Sequence, residues 1–131
     1  MKAFRLLTLP IVALLALPAW AADEVTPPSI SPPDSWVPRS EATIRVLDKV
    51  SAQASTLRLR VGDSATVETL TITLRACAVR PPDLPQDSTA MLDITDSRPG
   101  TSDFHGWMFS GEPAVAMLEH PVYGVRLVRC Q

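Results

Sequence analysis

Leu70-Thr71-Ile72-Thr73-Leu74-Arg75-Ala76-Cys77 is the stretch on which the fold turns. Leu70, Ile72, Leu74 and Ala76 recur at every second position and alternate with Thr71, Thr73, Arg75 and Cys77. A period of two with one apolar side is the pattern of a half-buried strand. The same alternation puts Cys77 opposite the Leu-Ile-Leu face. Two arrangements accommodate it: the cysteine bonds to something lying over the outer face, or a β-bulge before it resets the register. The Thr-, Val-, Leu- and Ile-rich run extends over residues 65–79, longer than the usual strand, so a break near Glu68-Thr69 is expected.

Upstream, Gly62-Asp63-Ser64 supplies turn chemistry. Residues 55–61 place Leu57, Leu59 and Val61 inward and Arg58 and Arg60 outward. Before them Ile44, Val46 and Val50 alternate with Arg45 and Lys49, and Asp48 interrupts the pattern as a strand end or bulge. Downstream, Arg80-Pro81-Pro82-Asp83-Leu84-Pro85 reads as a rigid loop. Residues 89–96, in which Met91 and Asp93 alternate with Leu92 and Ile94, read as a strand that the turn residues 97–103 end.

Residues 104–109 carry Phe104, Trp107 and Phe109 around Gly106, which suits a strand buried on both sides or crossed closely at the glycine. The three aromatics are expected in the core. Ser110-Gly111-Glu112-Pro113 then predicts a short helix, with a cap, a first-turn proline and an acidic residue at the positive end of the dipole. Ala114, Val115, Met117 and Leu118 would form its apolar face and Pro121 would stop it. The last strand, residues 122–130, has Tyr123, Val125 and Leu127 on one side, with Val122, Arg126, Val128 and Cys130 on or near the other. The fold class predicted is all-β: a small antiparallel sandwich or barrel with one short helix in the C-terminal half and one disulfide.

Residues 1–21 read as a secretory signal, with Lys2 and Arg5 ahead of an apolar run that Pro10 and Pro18 bracket and Ala19-Trp20-Ala21 closes. Cleavage before Ala22 leaves ten basic against fourteen acidic residues, a net charge of −4. No basic patch is evident, so neither nucleic acid nor an anionic membrane surface is an expected partner. Residues 22–41, with Pro27, Pro28, Pro32, Pro33 and Pro38, form an extended linker unable to join a sheet. In it Trp36 clips the linker to the domain surface rather than contacting a ligand. Residues 42–131 make a single β domain. Its two cysteines in an exported chain leave one possible pair, Cys77 with Cys130.

The motifs Cys77-x-x-Arg80-Pro81-Pro82, Phe104-x-Gly106-Trp107-Met108-Phe109 and Leu118-Glu119-His120-Pro121-Val122-Tyr123, with a terminal Cys130, resemble an exported alphaproteobacterial family known as domain of unknown function 2155. The likeness covers most of the chain from about residue 44 onward. It implies a periplasmic protein and brings no activity, substrate, cofactor or catalytic residue.

Asp103, His105, Glu119 and His120 are the residues with chemistry to offer. A histidine with a carboxylate can act as a general base, and two histidines with carboxylates can hold zinc. Their spacing suits neither: His105 falls in a strand, His120 at the end of the expected helix, where its ring would satisfy terminal carbonyls. No Gly-x-Ser-x-Gly, phosphate-cradling loop or Cys-x-x-Cys is present. The sequence therefore implies no catalytic residue, metal or cofactor. It points to a periplasmic, non-enzymatic binding or accessory module. The candidate surface is Trp107, His120, Tyr123, Glu119 and His105, offered to an envelope protein or small ligand, with no stable membrane insertion. Two alternatives are a small hydrolase built on His105, Glu119 and His120, and a structural protein pairing through a sheet edge.

Overall fold

The computed structural model describes residues 35–131. The signal segment and most of the linker lie outside the described residues. Eight strands follow in order: β1 Val37–Pro38, β2 Glu41–Asp48, β3 Gln53–Arg60, β4 Ser64–Val67, β5 Leu70–Val79, β6 Ser88–Asp96, β7 Phe104–Phe109 and β8 Tyr123–Cys130. All pairings are antiparallel. The larger sheet runs β1-β5-β6-β7, with β4 sharing the β5 edge that β1 also uses, and the smaller runs β3-β2-β8. The sheets do not close into a barrel.

Their facing sides share one core. Leu70, Ile72, Leu74, Leu92, Ile94 and Met108 come from the larger sheet, and Ile44, Val46, Leu59, Val125 and Leu127 from the smaller. All but Met108 are inward positions that alternation picks out, because a strand sends successive side chains to opposite faces. Turns fall where the local chemistry asks for them. Asp48 accepts bonds from the Val50 and Ser51 N–H groups at 2.8 and 3.2 Å and so caps the β2–β3 turn. Those two bonds, the one from Ser51 first, hold its carboxyl below the usual value. The break near Glu68-Thr69 is a two-residue connection joining β4 to β5, with Glu68 at φ +52°.

The parity of Cys77 is resolved by a bulge. β5 pairs Leu74 with Leu92 and then Ala76 with Met91, so Arg75 has no partner across the ladder. One extra residue turns every later side chain to the other face, and Cys77 enters the core. Cys130 needs the same device. The β2–β8 register shifts between Thr43, paired with Arg129, and Ile44, paired with Leu127, which leaves Val128 as the extra residue. Cys130, expected opposite Tyr123, Val125 and Leu127, thereby joins them inside. Each sheet contributes one bulged strand and one cysteine, and Cys77 and Cys130 form a disulfide between the sheets with Cα atoms 5.9 Å apart.

Deleting Arg75 tests this device. The deletion returns β5 to strict alternation, aims Cys77 at solvent and leaves Cys130 without a partner. Alkylation of protein purified without reductant is expected to label both cysteines. A disulfide-linked deletion variant with an unchanged melting temperature would show that the bulge does not aim the sulfur.

Four expectations are corrected. No helix occurs among the described residues: residues 113–115 make a turn, with Val115 N–H bonding Glu112 C=O at 3.1 Å. Nucleating a helix costs more than a segment this short recovers. Val115 and Met117 lie open to solvent, and Leu118 alone enters the core. The segment's start is committed elsewhere, since Ser110 Oγ and Gly111 N–H both donate to Asp87 Oδ1 at 2.8 Å. Second, the linker does join a sheet. Val37–Pro38 pairs with Val79 and Ala78, at an edge, where a proline without an N–H is tolerated. Third, β7 is an edge strand and Gly106 is not crossed by another backbone; a Cβ there would meet only the Phe104 ring. Phe104, Trp107 and Phe109 are accordingly half-buried and Met108 takes the core position. Fourth, Val50 and Val61 are exposed in turns.

Candidate functional site

Asp96 ends β6 on its inward parity, opposite Leu70, and closes one end of the core with His120. The His120 ring accepts bonds from the Val122 and Tyr123 N–H groups on Nδ1, at 3.1 and 3.0 Å. Nδ1 is therefore the lone-pair nitrogen, and Nε2 carries the proton and donates to Asp96 Oδ2 at 2.7 Å. Both side chains are almost wholly buried, at 0% and 1% exposed. Asp96 Oδ1 accepts from the Arg98 N–H at 2.8 Å and Oδ2 from its guanidinium at 3.3 Å. The Arg98 backbone bond, followed by those from His120 and the Arg98 side chain, holds the Asp96 carboxyl well below the usual carboxylate range. Lys49 Nζ donates to His120 C=O at 2.8 Å, and the Arg98 guanidinium stands 5.5 Å over the Tyr123 ring.

This cluster is saturated. A general base needs a free lone pair facing substrate, and both ring nitrogens of His120 are occupied. The ring organises the turn into β8 instead of ending a helix. Tyr123, adjacent at 5.2 Å between rings, is buried rather than presented at a surface. It lines a cleft of about 50 Å³ with Asp48, Ser51, Gln53, Ser55 and Glu68, far smaller than a metabolite site. Glu119 is exposed on the connection before it.

His105 lies elsewhere. It stands opposite Asp93 in the β6–β7 ladder and its Nδ1 bonds Asp93 Oδ1 at 2.9 Å. Asp93 also accepts from the bulged Arg75. The bond to His105 and then that from Arg75 lower its carboxyl below the usual value. Asp93 faces outward and Asp96 inward on the same strand, so the larger sheet separates the two imidazoles. Among the described residues no group of three His, Cys, Asp or Glu side chains is placed to hold a metal. The expected surface thus divides: Trp107 and His105 are on the outer face of the larger sheet, His120 and Tyr123 at the end of the core, Glu119 on a loop.

Around Trp107 the outer face gathers further aromatics. Trp107 is opposite Met91, and Phe109 opposite Thr89. Trp36 packs edge to face on Phe109 with centroids 6.1 Å apart, and the Arg80 guanidinium stands 5.4 Å over Trp36. Trp36 therefore fastens the start of the described chain onto the domain.

The smaller sheet corrects the expectation that no basic patch is present. Its outward positions are Thr43, Arg45 and Leu47 on β2, flanked by Arg58, Thr56 and Ala54 on β3 and by Arg129, Arg126 and Gly124 on β8. The sequence shows Arg45, Arg58 and Arg126 alternating outward within their own strands, while Arg129 shares the parity of Leu127 and is turned outward only by the bulge at Val128. Strand order, which it does not show, brings Arg45, Arg58, Arg126 and Arg129 onto one face.

The family model for uncharacterized proteins conserved in bacteria (DUF2155) matches residues 42–130. No curated protein and no solved structure matches the chain. The matched segment spans β2 to β8, with both bulges and both cysteines, and the chain belongs to this bacterial family.

Proposed function

We propose that this protein is a non-enzymatic binding or accessory module of the cell envelope, exported to the periplasm by a cleavable leader. Its recognition surface is the outer face of the larger sheet around Trp107. The observation that carries the reading is the aromatic row Trp36, Phe109 and Trp107, left half-exposed beside Arg80. Tryptophan and arginine dominate the energetics of protein interfaces, and these rings stand partly open to solvent on one face. The disulfide is compatible with an oxidising compartment. The occupied ring nitrogens of His120 count against a hydrolase built on it.

A photoreactive side chain at position 107 in the exported protein should give a discrete adduct with one envelope component. The same group at Val50, exposed in the β2–β3 turn, should give none. In the isolated complex, Trp107→Ala should weaken binding about thirtyfold, the effect of losing a hot-spot residue, with the melting temperature nearly unchanged. Retention of the protein in the cytoplasm, or identical adducts from both positions, would contradict the proposal. The position of β7 supports a second reading, pairing through a sheet edge. Phe104–Phe109 contains no Lys, Arg, Asp or Glu and pairs only with β6, and uncharged edges accept added strands. Partner-dependent slowing of hydrogen exchange confined to β7 would favour it.

A further inference from the structure

From the outer face of the smaller sheet we infer that this protein docks on the anionic phospholipid headgroups of a bilayer surface through Arg45, Arg58, Arg126 and Arg129. The inference is independent of the aromatic face, which belongs to the other sheet. No carboxylate occupies the rows between Thr43 and Leu47 on any of the three strands. Among the described residues, none of the four guanidinium groups is paired with an acidic side chain. Glu41, at the end of the face, is opposite Arg60 and bonded by Gln131. The chain as a whole is acidic, so the four unpaired arginines reflect segregation of charge and not a general excess of base.

A second observation points the same way. Thr43 stands between Arg58 and Arg129 in the register and is 7% exposed, yet its Oγ1 has no hydrogen-bond partner. A covered hydroxyl without a partner is costly, and a phosphate oxygen seated between the two flanking guanidinium groups would accept from it.

The shape of the face selects the ligand. Two open hollows of about 240 and 300 Å³ share Arg45 and Arg126 as walls. Neither encloses a single small anion, and four guanidinium groups across three strands exceed what one phosphate can use. Strands lie about 4.8 Å apart, so the charges form a shallow array matched to many phosphates in a plane. Leu47 and Val128, 40% and 46% exposed, rise among them. A nucleic acid backbone has no use for these aliphatic groups, whereas a bilayer surface receives them at the headgroup boundary while its phosphates meet the arginines.

The test is co-sedimentation of the exported chain with vesicles of phosphatidylcholine alone and of phosphatidylcholine mixed with phosphatidylglycerol. Binding is expected to the mixed vesicles only and to weaken with added salt. Each arginine removed should weaken it about fivefold, so Arg45→Ala with Arg126→Ala together should weaken it about 25-fold. Both side chains are exposed, so the disulfide and the melting temperature of the double variant should match those of the parent. Equal binding to both vesicle types, or full binding by the double variant, would overturn the inference. So would displacement from vesicles by inorganic phosphate at matched ionic strength, which would mark a site for a free anion. Variant-sensitive binding to polyglutamate or single-stranded DNA without vesicle binding would assign the face to another polyanion and likewise overturn it.

Discussion

Replacing Cys77 and Cys130 together by alanine is expected to lower the stability of the domain by about 4 kcal/mol, the chain-entropy value for closing a loop of this length. The sequence separation is 53 residues, and the bridge joins sheets whose strands are otherwise linked by turns and packing. A domain of this size has a net stability of roughly 5–15 kcal/mol, so the loss is roughly a quarter to four-fifths of it. The corresponding fall in melting temperature is on the order of 20 °C. Thermal unfolding followed with and without reductant checks the value. Reductant should bring the parent down to the double variant and leave the variant where it is. Coincident melting of all four samples would mean that the bridge constrains nothing.

His120→Ala is expected to cost about 3 kcal/mol, because truncation strands several buried groups at once. The Val122 and Tyr123 N–H groups lose their acceptor, Asp96 loses a donor, and a ring-sized void opens beside Tyr123. Asp96→Asn tests the same cluster from the other side. An amide can present only one oxygen, so its NH₂ must face either the Nε2–H of His120 or the Arg98 donors. Either orientation opposes donor to donor, and destabilisation is expected although the shape is conserved. Acid acts similarly. The carboxyls of Asp96, Asp93 and Asp48 are all lowered by the bonds they accept. Their contribution is complete above the unfolded-chain value near 4 and is lost as pH falls below it. Denaturant midpoints should drop as pH falls below about 4, with a shallower drop for Asp96→Asn. A His120→Ala variant as stable as the parent would mean that the ring is not the organiser of the turn into β8.

Seven of the eight strands were legible because one face of each sheet is buried and the chain alternates accordingly; β1, two residues ending in proline, was not. The bulges were legible only in part. Cys77 stands three residues from Leu74 and Cys130 three from Leu127, an odd separation that strict alternation cannot reconcile with two inward cysteines. That conflict was visible for Cys77 and left open between two solutions; for Cys130 it went unread. The expected helix failed because Ser110 and Gly111 answer to Asp87, a partner more than twenty residues away. His120 was misplaced for the same reason, since Asp96 lies 24 residues before it. The arginine face required strand order and, for Arg129, the bulge at Val128; both depend on non-local pairing and leave no periodic mark in any single strand.

The most direct measurement is a peptide map of the protein taken from cells without reductant and digested after alkylation of free thiols. A single linked species containing Cys77 and Cys130 is the expected result, since both bulges aim these sulfurs into the space between the sheets. Two alkylated peptides, each carrying one free cysteine, would contradict it.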